Sequence, residues 1–430
     1  MQPRKFRVPQ RKTQRRWRVP PALKRGDEIF EGLGVLDELS GEKGLVLWQS
    51  LRDALLWADA QDDERAALFA PDAERIRVAS ILTAQPSPEL EEPLGVLARM
   101  LGEPTRIPEE MVALACRRIS QWSDDEGQLK TALAFAQAAA TVTPGDAGTA
   151  FSVGKLARRL AQHARAETWY RRTIALARQV GDWATYAQAF LGLGSMYQQR
   201  GNFPAARRFL IRARKAAQRN SLHGIAAMAE HDLFSLAIEA DRYDEAAEWA
   251  RIAYDSYGPH HPAVPRLAQD VAYWWTTQGH YAEALPVLES VLPHFRQPSD
   301  RMAVLASIAR AAGGLGKRDR FREAWDEAHD LLRSTNADER AAMGLLDMAH
   351  GAATLGLWDK AELAARESLE TGVRRSEGRI RLTAEVVMES VRHHRVVAVQ
   401  KRETRPDAMP TVDPILAEEF VRSLQMAGSA

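Results

Sequence analysis

Cysteine is almost missing from this 430-residue chain: Cys116 is the only one. That excludes an intramolecular disulfide framework and any cysteine-rich zinc or iron–sulfur site. Long apolar runs are missing as well. No window approaches the ~18 apolar residues of a transmembrane helix, and the basic N-terminus lacks the apolar stretch of a secretory signal. No membrane association is expected, and a cytoplasmic location is. The familiar catalytic signatures are absent too, with no Gly-x-Ser-x-Gly elbow and no His-Glu-x-x-His. The nearest thing to a phosphate loop is Gly313-Gly314-Leu315-Gly316-Lys317-Arg318. It has Ala311 for the first glycine, Arg318 for the hydroxyl, and no strand before it. The histidine pairs His260-His261 and His393-His394 do not make the three or four convergent ligands a metal needs, and His260 and His261 are expected to face solvent. Cys116 falls in a helical pattern with Met111, Leu114 and Ile119, which predicts a buried thiol with no partner base. Neither enzymatic activity, cofactor nor metal is expected.

What is present is apolar and helical. Hydrophobic residues make up 45%, enough for a large core and against wholesale disorder. Strand-like alternation is absent. Leu45, Trp48, Leu51, Leu55 and Ala58 recur at helical spacing. Further helices are expected over about 62–69, 72–83 and 88–101, the last opened by a Ser87 cap and Pro88.

The formal net charge of +1 hides an asymmetry. Residues 1–25 carry ten Lys/Arg, four prolines and no acid, while the rest carries 48 basic and 57 acidic side chains. The first 25 residues read as a disordered basic arm. Arg4, Lys5, Arg7, Arg11, Lys12, Arg15, Arg16 and Arg18 could hold phosphates and Trp17 could stack on a base, which makes nucleic acid a possible partner. A solubilising tail or a protein-docking segment explains the same composition.

From about residue 109 the chain repeats. In Phe190–Ala213, Leu193-Gly194 and Tyr197 lie on one helix, Gly201, Asn202 and Phe203 at a turn, and Ala206, Leu210 and Ala213 on a second helix. Small Gly194 and Ala206 let the two helices approach, and Gly201 supplies the helix-ending conformation. The small residue after the turn recurs at Ala132, Ala166, Ala206, Ala246, Ala284, Ala324 and Ala361, at intervals of 34, 40, 40, 38, 40 and 37. A larger residue precedes it by three positions, as Leu129, His163, Phe203, Tyr243, Tyr281, Phe321 and Trp358. Glycine closes the preceding helix at Gly127, Gly201, Gly279 and Gly356; Asp241 and Asp319 stand in for it elsewhere, and Ala161 is the weakest match. Phe234 replaces the small first-helix residue and predicts a differently packed pair. Most tryptophans fall at packing positions.

These residues resemble the tetratricopeptide repeat, in a longer unit of about 40 residues of the kind seen in bacterial regulators. The resemblance implies an all-α fold: a right-handed superhelical solenoid of antiparallel helix pairs with N-terminal capping helices. On that reading residues 1–42 form the arm and an irregular lead-in, and 43–108 an N-terminal helical region. Residues 109–375 form an array of about seven pairs, 376–403 a capping helix, and 404–430 a linker and a short amphipathic helix. That last helix has an apolar face, Ile415, Leu416, Phe420 and Leu424, which must dock.

The resemblance also implies a non-enzymatic scaffold that binds a protein or peptide along a concave groove lined by the first helices. Carried onto this sequence, the groove comprises Arg117, Arg118, Lys155, Arg158, Arg159, Gln198, Gln199, Asp232, Asp270 and Tyr273, with Arg310 and Asp347 further on. Its N-terminal end is basic, which suits a partner with an acidic segment or a C-terminal carboxylate. Asp124 and Asp125 lie in a turn where they could neutralise part of that charge. An ordinary solvated face remains the plain alternative.

Overall fold

The computed structural model describes residues 33–334, 339–374, 378–396 and 412–428. Arg4, Lys5, Arg7, Arg11, Lys12, Arg15, Arg16, Trp17 and Arg18 therefore lie outside the described residues. Among the described residues every regular element is a helix and no strand occurs. The chain divides into two compact units, residues 1–220 and 221–430.

The first unit opens with α1 (Leu33–Glu38), α2 (Gly41–Asp59), α3 (Asp62–Arg65), α4 (Ala73–Ala84) and α5 (Pro88–Gly102). Residues 33–42, read from their glycines as an irregular lead-in, are thus largely helical. Burial of Val35 explains α1, and Glu38 at its end accepts hydrogen bonds from Lys130 N (2.9 Å), Thr131 N (2.8 Å) and Thr131 Oγ1 (2.9 Å). It thereby satisfies the N-terminus of a helix 92 residues further on. Ser87 stands at the N-cap of α5 as expected, but its hydroxyl makes no capping bond. Three pairs follow: α6 (Glu109–Asp125) with α7 (Leu129–Val142), α8 (Ala147–Arg159) with α9 (His163–Val180), and α10 (Trp183–Gln199) with α11 (Phe203–Arg219).

The second unit holds four more pairs: α12 (His223–Glu239) with α13 (Tyr243–Tyr257), α14 (Val264–Thr277) with α15 (Tyr281–Val291), α16 (Pro298–Gly314) with α17 (Arg318–Ser334), and α18 (Glu339–Thr354) with α19 (Trp358–Arg374). Then come α20 (Gly378–Arg392), packed on α19 and α18, and α21 (Pro414–Gly428), packed on α15 and α14.

One turn builds all seven pairs. Gly127, Ala161, Gly201, Asp241, Gly279, Gly316 and Gly356 adopt left-handed φ values from 56° to 84°. The next N–H then donates to the carbonyl five residues back, as in Gln128 to Ser123 (2.7 Å), Asn202 to Tyr197 (2.9 Å) and Lys317 to Ala312 (2.9 Å). This bond ends the first helix and frees the chain to reverse. The sixth pair corrects the sequence register. Its turn residue is Gly316, not Asp319, so Phe321 rather than Ala324 occupies the position five residues after the turn. The phosphate-loop look-alike is this turn and the helix end before it.

Numbering from the turn residue shows what each position does. Seven residues before it, a Cβ on Gly194 would meet the Leu210 side chain at 2.4 Å and one on Gly154 the Tyr170 ring at 2.9 Å, so this position faces the pair's own second helix. Eight residues before it stand Ile119, Val153, Leu193, Leu233, Val271, Ile308 and Met348, each at most 2% exposed. Phe234 packs edge-on to Trp274, which accommodates the large side chain predicted to alter its pair.

Backbones come closest between α16 and α18. A Cβ on Gly351 would lie 2.5 Å from the Ala309 carbonyl oxygen, and one on Gly313 2.4 Å from that of Gly351. Gly351→Val is therefore expected to destabilise the protein by about 1–3 kcal/mol, since neither backbone can yield alone. Gly224→Ala, whose Cβ would meet only His261 at 3.6 Å, serves as the benign control in urea unfolding. Equal midpoints for the two variants would contradict the close approach.

The α21 face buries Leu416, Phe420 and Leu424, while Ile415, counted with them from the sequence, is 66% exposed. Phe420 meets Tyr254 edge-on at 5.1 Å, Ser423 shares a 2.8 Å hydrogen bond with the Tyr254 hydroxyl, and Arg251 pairs with Asp413 (3.0 Å) and Glu419.

Candidate functional site

The exposed residues of the first helices were expected to form the site, and the structure gathers some of them in two clefts. In the first unit Arg117, Arg118, Gln121 and Asp124 from α6 and Ser152 and Lys155 from α8 line a cleft of about 280 Å³. The basic side chains are not bare. Arg117 donates to Asp146 Oδ2 at 2.8 Å, Lys155 lies 3.2 Å from Asp124, Arg159 also pairs with Asp124, and Arg118 pairs with Glu92. Asp124 thus neutralises part of the patch, whereas Asp125 accepts a bond from Gln121 (2.8 Å). Burial would raise the Asp146 carboxyl, but hydrogen bonds from Thr149 and the Gly148 N–H and the charge of Arg117 hold it below the usual range. The lining keeps three cations, Arg117, Arg118 and Lys155, against one carboxylate, Asp124. Arg158 is engaged with the Tyr170 hydroxyl, and Arg159 lies outside the cleft lining.

In the second unit Arg266, Gln269, Asp270 and Tyr273 from α14, Ser307 from α16, and Met343 and Asp347 from α18 line a cleft of about 440 Å³. Asp270 and Tyr273 come together here as expected. Asp232, Gln198 and Gln199 line neither cleft. Asp270 Oδ2 lies 2.9 Å from His231 Nε2, and Arg266 pairs with Asp300 at 2.9 Å. Arg310 and Asp347, read as open groove positions, form a buried pair instead: Nη1 donates to Oδ1 at 2.7 Å, with side chains 13% and 5% exposed. The close fit of α16 on α18 shuts them in. Burial pushes the Asp347 carboxyl up while Arg310 draws it down. Burial also pushes Tyr257 up, helped by the nearby charges of Asp232, Glu230 and Asp270.

Two histidine expectations divide. His260 is exposed, but His261 stacks on Tyr257 at 4.6 Å and its Nδ1 accepts from Ala263 N at 3.1 Å. Cys116 is fully buried, which pushes its thiol up to about 12. Among the described residues no three His, Cys, Asp or Glu side chains gather as a metal site would require, and no helix is long and apolar enough to cross a membrane.

Residues 146–219, which span α8 to α11, match the tetratricopeptide repeat family. With the seven-fold turn and the helix pairs, this makes the chain a tetratricopeptide-repeat protein. No curated protein matches the sequence. Among solved structures, a signal-transduction ATPase with numerous domains and a tetratricopeptide repeat sensor, from Pyrococcus horikoshii, is 12% identical with a TM-score of 0.50. The alignment covers 84% of this chain and 58% of that one. The Rap conjugation gene regulator of plasmid pLS20, solved with the Phr* peptide, is 10% identical over 87% of this chain and 99% of its own, with a TM-score of 0.40. BtubC from P. vanneervenii is 13% identical over 54% and 96%, with a TM-score of 0.40.

Proposed function

We propose that the chain is a non-enzymatic scaffold that binds a protein or peptide on the exposed side of its first helices. The cleft between α6 and α8 would take an acidic segment or a C-terminal carboxylate. The excess of Arg117, Arg118 and Lys155 over Asp124 in one lining carries the reading. A guanidinium can exchange one carboxylate for another at little net cost when both states are paired, so existing ion pairs leave the cleft receptive. Tyr273, in the other cleft, offers a ring to an apolar side chain.

A panel of labelled peptides with acidic C-termini, as free acids and as amides, tests this. Arg118→Glu with Lys155→Glu is expected to weaken the best binder at least tenfold without lowering the melting temperature, because both side chains are about half exposed. Arg158→Glu should do less, since Arg158 turns to Tyr170. Unchanged affinity in the double variant would move recognition elsewhere on the chain. The second reading, nucleic-acid binding, rests on the ten positive charges of residues 1–25. It requires binding to RNA or DNA that falls steeply with salt and vanishes when those residues are deleted.

A further inference from the structure

The last first helix has lost its partner. Like the seven before it, α20 ends on a left-handed residue, His394 (φ 51°), and the next N–H, of Arg395, donates to the Ser390 carbonyl five residues back at 2.8 Å. By this measure α20 is the first helix of an eighth repeat. Yet eight residues before the turn stands Val386, 58% exposed, where every earlier copy is at most 2% exposed; Leu382, one turn further back, is 59% exposed. The side of α20 that should lie under a second helix is apolar and uncovered.

The sequence directly after His394 does not carry the spacing of a second helix. In the third repeat that spacing is Ala206, Phe209, Leu210 and Ala213, at five, eight, nine and twelve residues after the turn. The corresponding residues after His394 are Val399, Arg402, Glu403 and Pro406, which put two charges and a helix breaker where apolar contacts belong. The spacing reappears in α21: Ala417, Phe420, Val421 and Leu424, with Pro414 in the first turn as Pro204 is in α11. The present seat of α21 fits this face imperfectly. Ala417 and Val421 border a cleft of about 520 Å³ against Ala282 and Pro286 of α15, whereas Leu210, the counterpart of Val421, is fully buried.

We propose that α21 is the second helix of the eighth repeat and has two seats: the one against α13 to α15, and the uncovered face of α20. Chain order favours this occupant, since a second helix follows its first in every pair. The nineteen residues between His394 and Pro414 can extend to ~60 Å, ample for either seat. Moving to α20 would uncover Arg251, Tyr254 and the α15 face, so the exchange would open one surface while closing the other.

A photoreactive benzoylphenylalanine at position 386 of the full-length chain tests the second seat, with cross-links mapped by mass spectrometry. Irradiation is expected to join position 386 to residues 414–428 of the same chain. Arg251→Glu, which breaks the ion pairs of the first seat, should raise the yield at least threefold. No such cross-link in either background would overturn the proposal. So would a cross-link to α21 found only in dimer-sized products, because the occupant would then be a second copy.

Discussion

Asp347→Ala is expected to lower stability by about 3–5 kcal/mol, because it strands the guanidinium of Arg310 in a site closed by the α16–α18 contact. Removing one member of a buried pair leaves a charge with neither water nor counter-charge. Removing both is far cheaper, so Asp347→Leu combined with Arg310→Met should recover most of the loss. Urea unfolding of the single and double variants gives the coupling directly. A single-variant loss below about 1 kcal/mol would mean that water reaches the pair after all. The variant also separates structure from recognition: Asp347 borders the second cleft, so a binding defect there counts as recognition only if the melting temperature holds.

Acid should destabilise the protein through His350, one turn along α18 from Asp347. Burial, reinforced by the charge of Arg310, pushes the His350 imidazole down to about 3. Unfolded histidine takes up its proton near pH ~6.5, so below that value the unfolded state binds a proton that the folded state refuses. Stability is then lost progressively as pH falls from about 6.5 toward 3, by up to about 1 kcal/mol per pH unit from this residue. His350→Gln should flatten that part of the profile in melting experiments between pH 7 and 4. Parallel profiles for the parent and the variant would show that His350 is protonated in the folded state.

The repeat was legible because its signal is local. A left-handed turn and the small residue five positions later must lie close in sequence, so glycine and alanine at intervals near 40 expose them. The sixth copy shows how that reading slips. Phe321 and Ala324 have the large-then-small spacing of the other copies, but on an amphipathic helix that spacing recurs every turn. Only the φ of Gly316 decides between the two registers. The site was legible in part for a different reason. Helical periodicity placed Arg117, Arg118 and Lys155 on one side, and they do share a cleft. It could not supply Asp146 for Arg117 or Glu92 for Arg118, which come from 29 and 26 residues away. Nor could it show that α16 and α18 close over Arg310 and Asp347, since that depends on Gly313 and Gly351 meeting in space. The first seat of α21 is non-local in the same way: Arg251 and Glu419 are 168 residues apart.

The turn also marks out a route to a hardier protein. Five of its seven copies use glycine, whereas Ala161 (φ 58°) and Asp241 (φ 56°) hold the same left-handed backbone with a side chain attached. Aspartate tolerates that region better than alanine, so Ala161 bears the greater strain, on the order of 1 kcal/mol. Ala161→Gly is therefore expected to raise the thermal midpoint, less what glycine returns in unfolded-chain entropy. Neither residue borders the clefts described above. An engineer could strengthen the weakest joints of the array while leaving whatever it binds undisturbed.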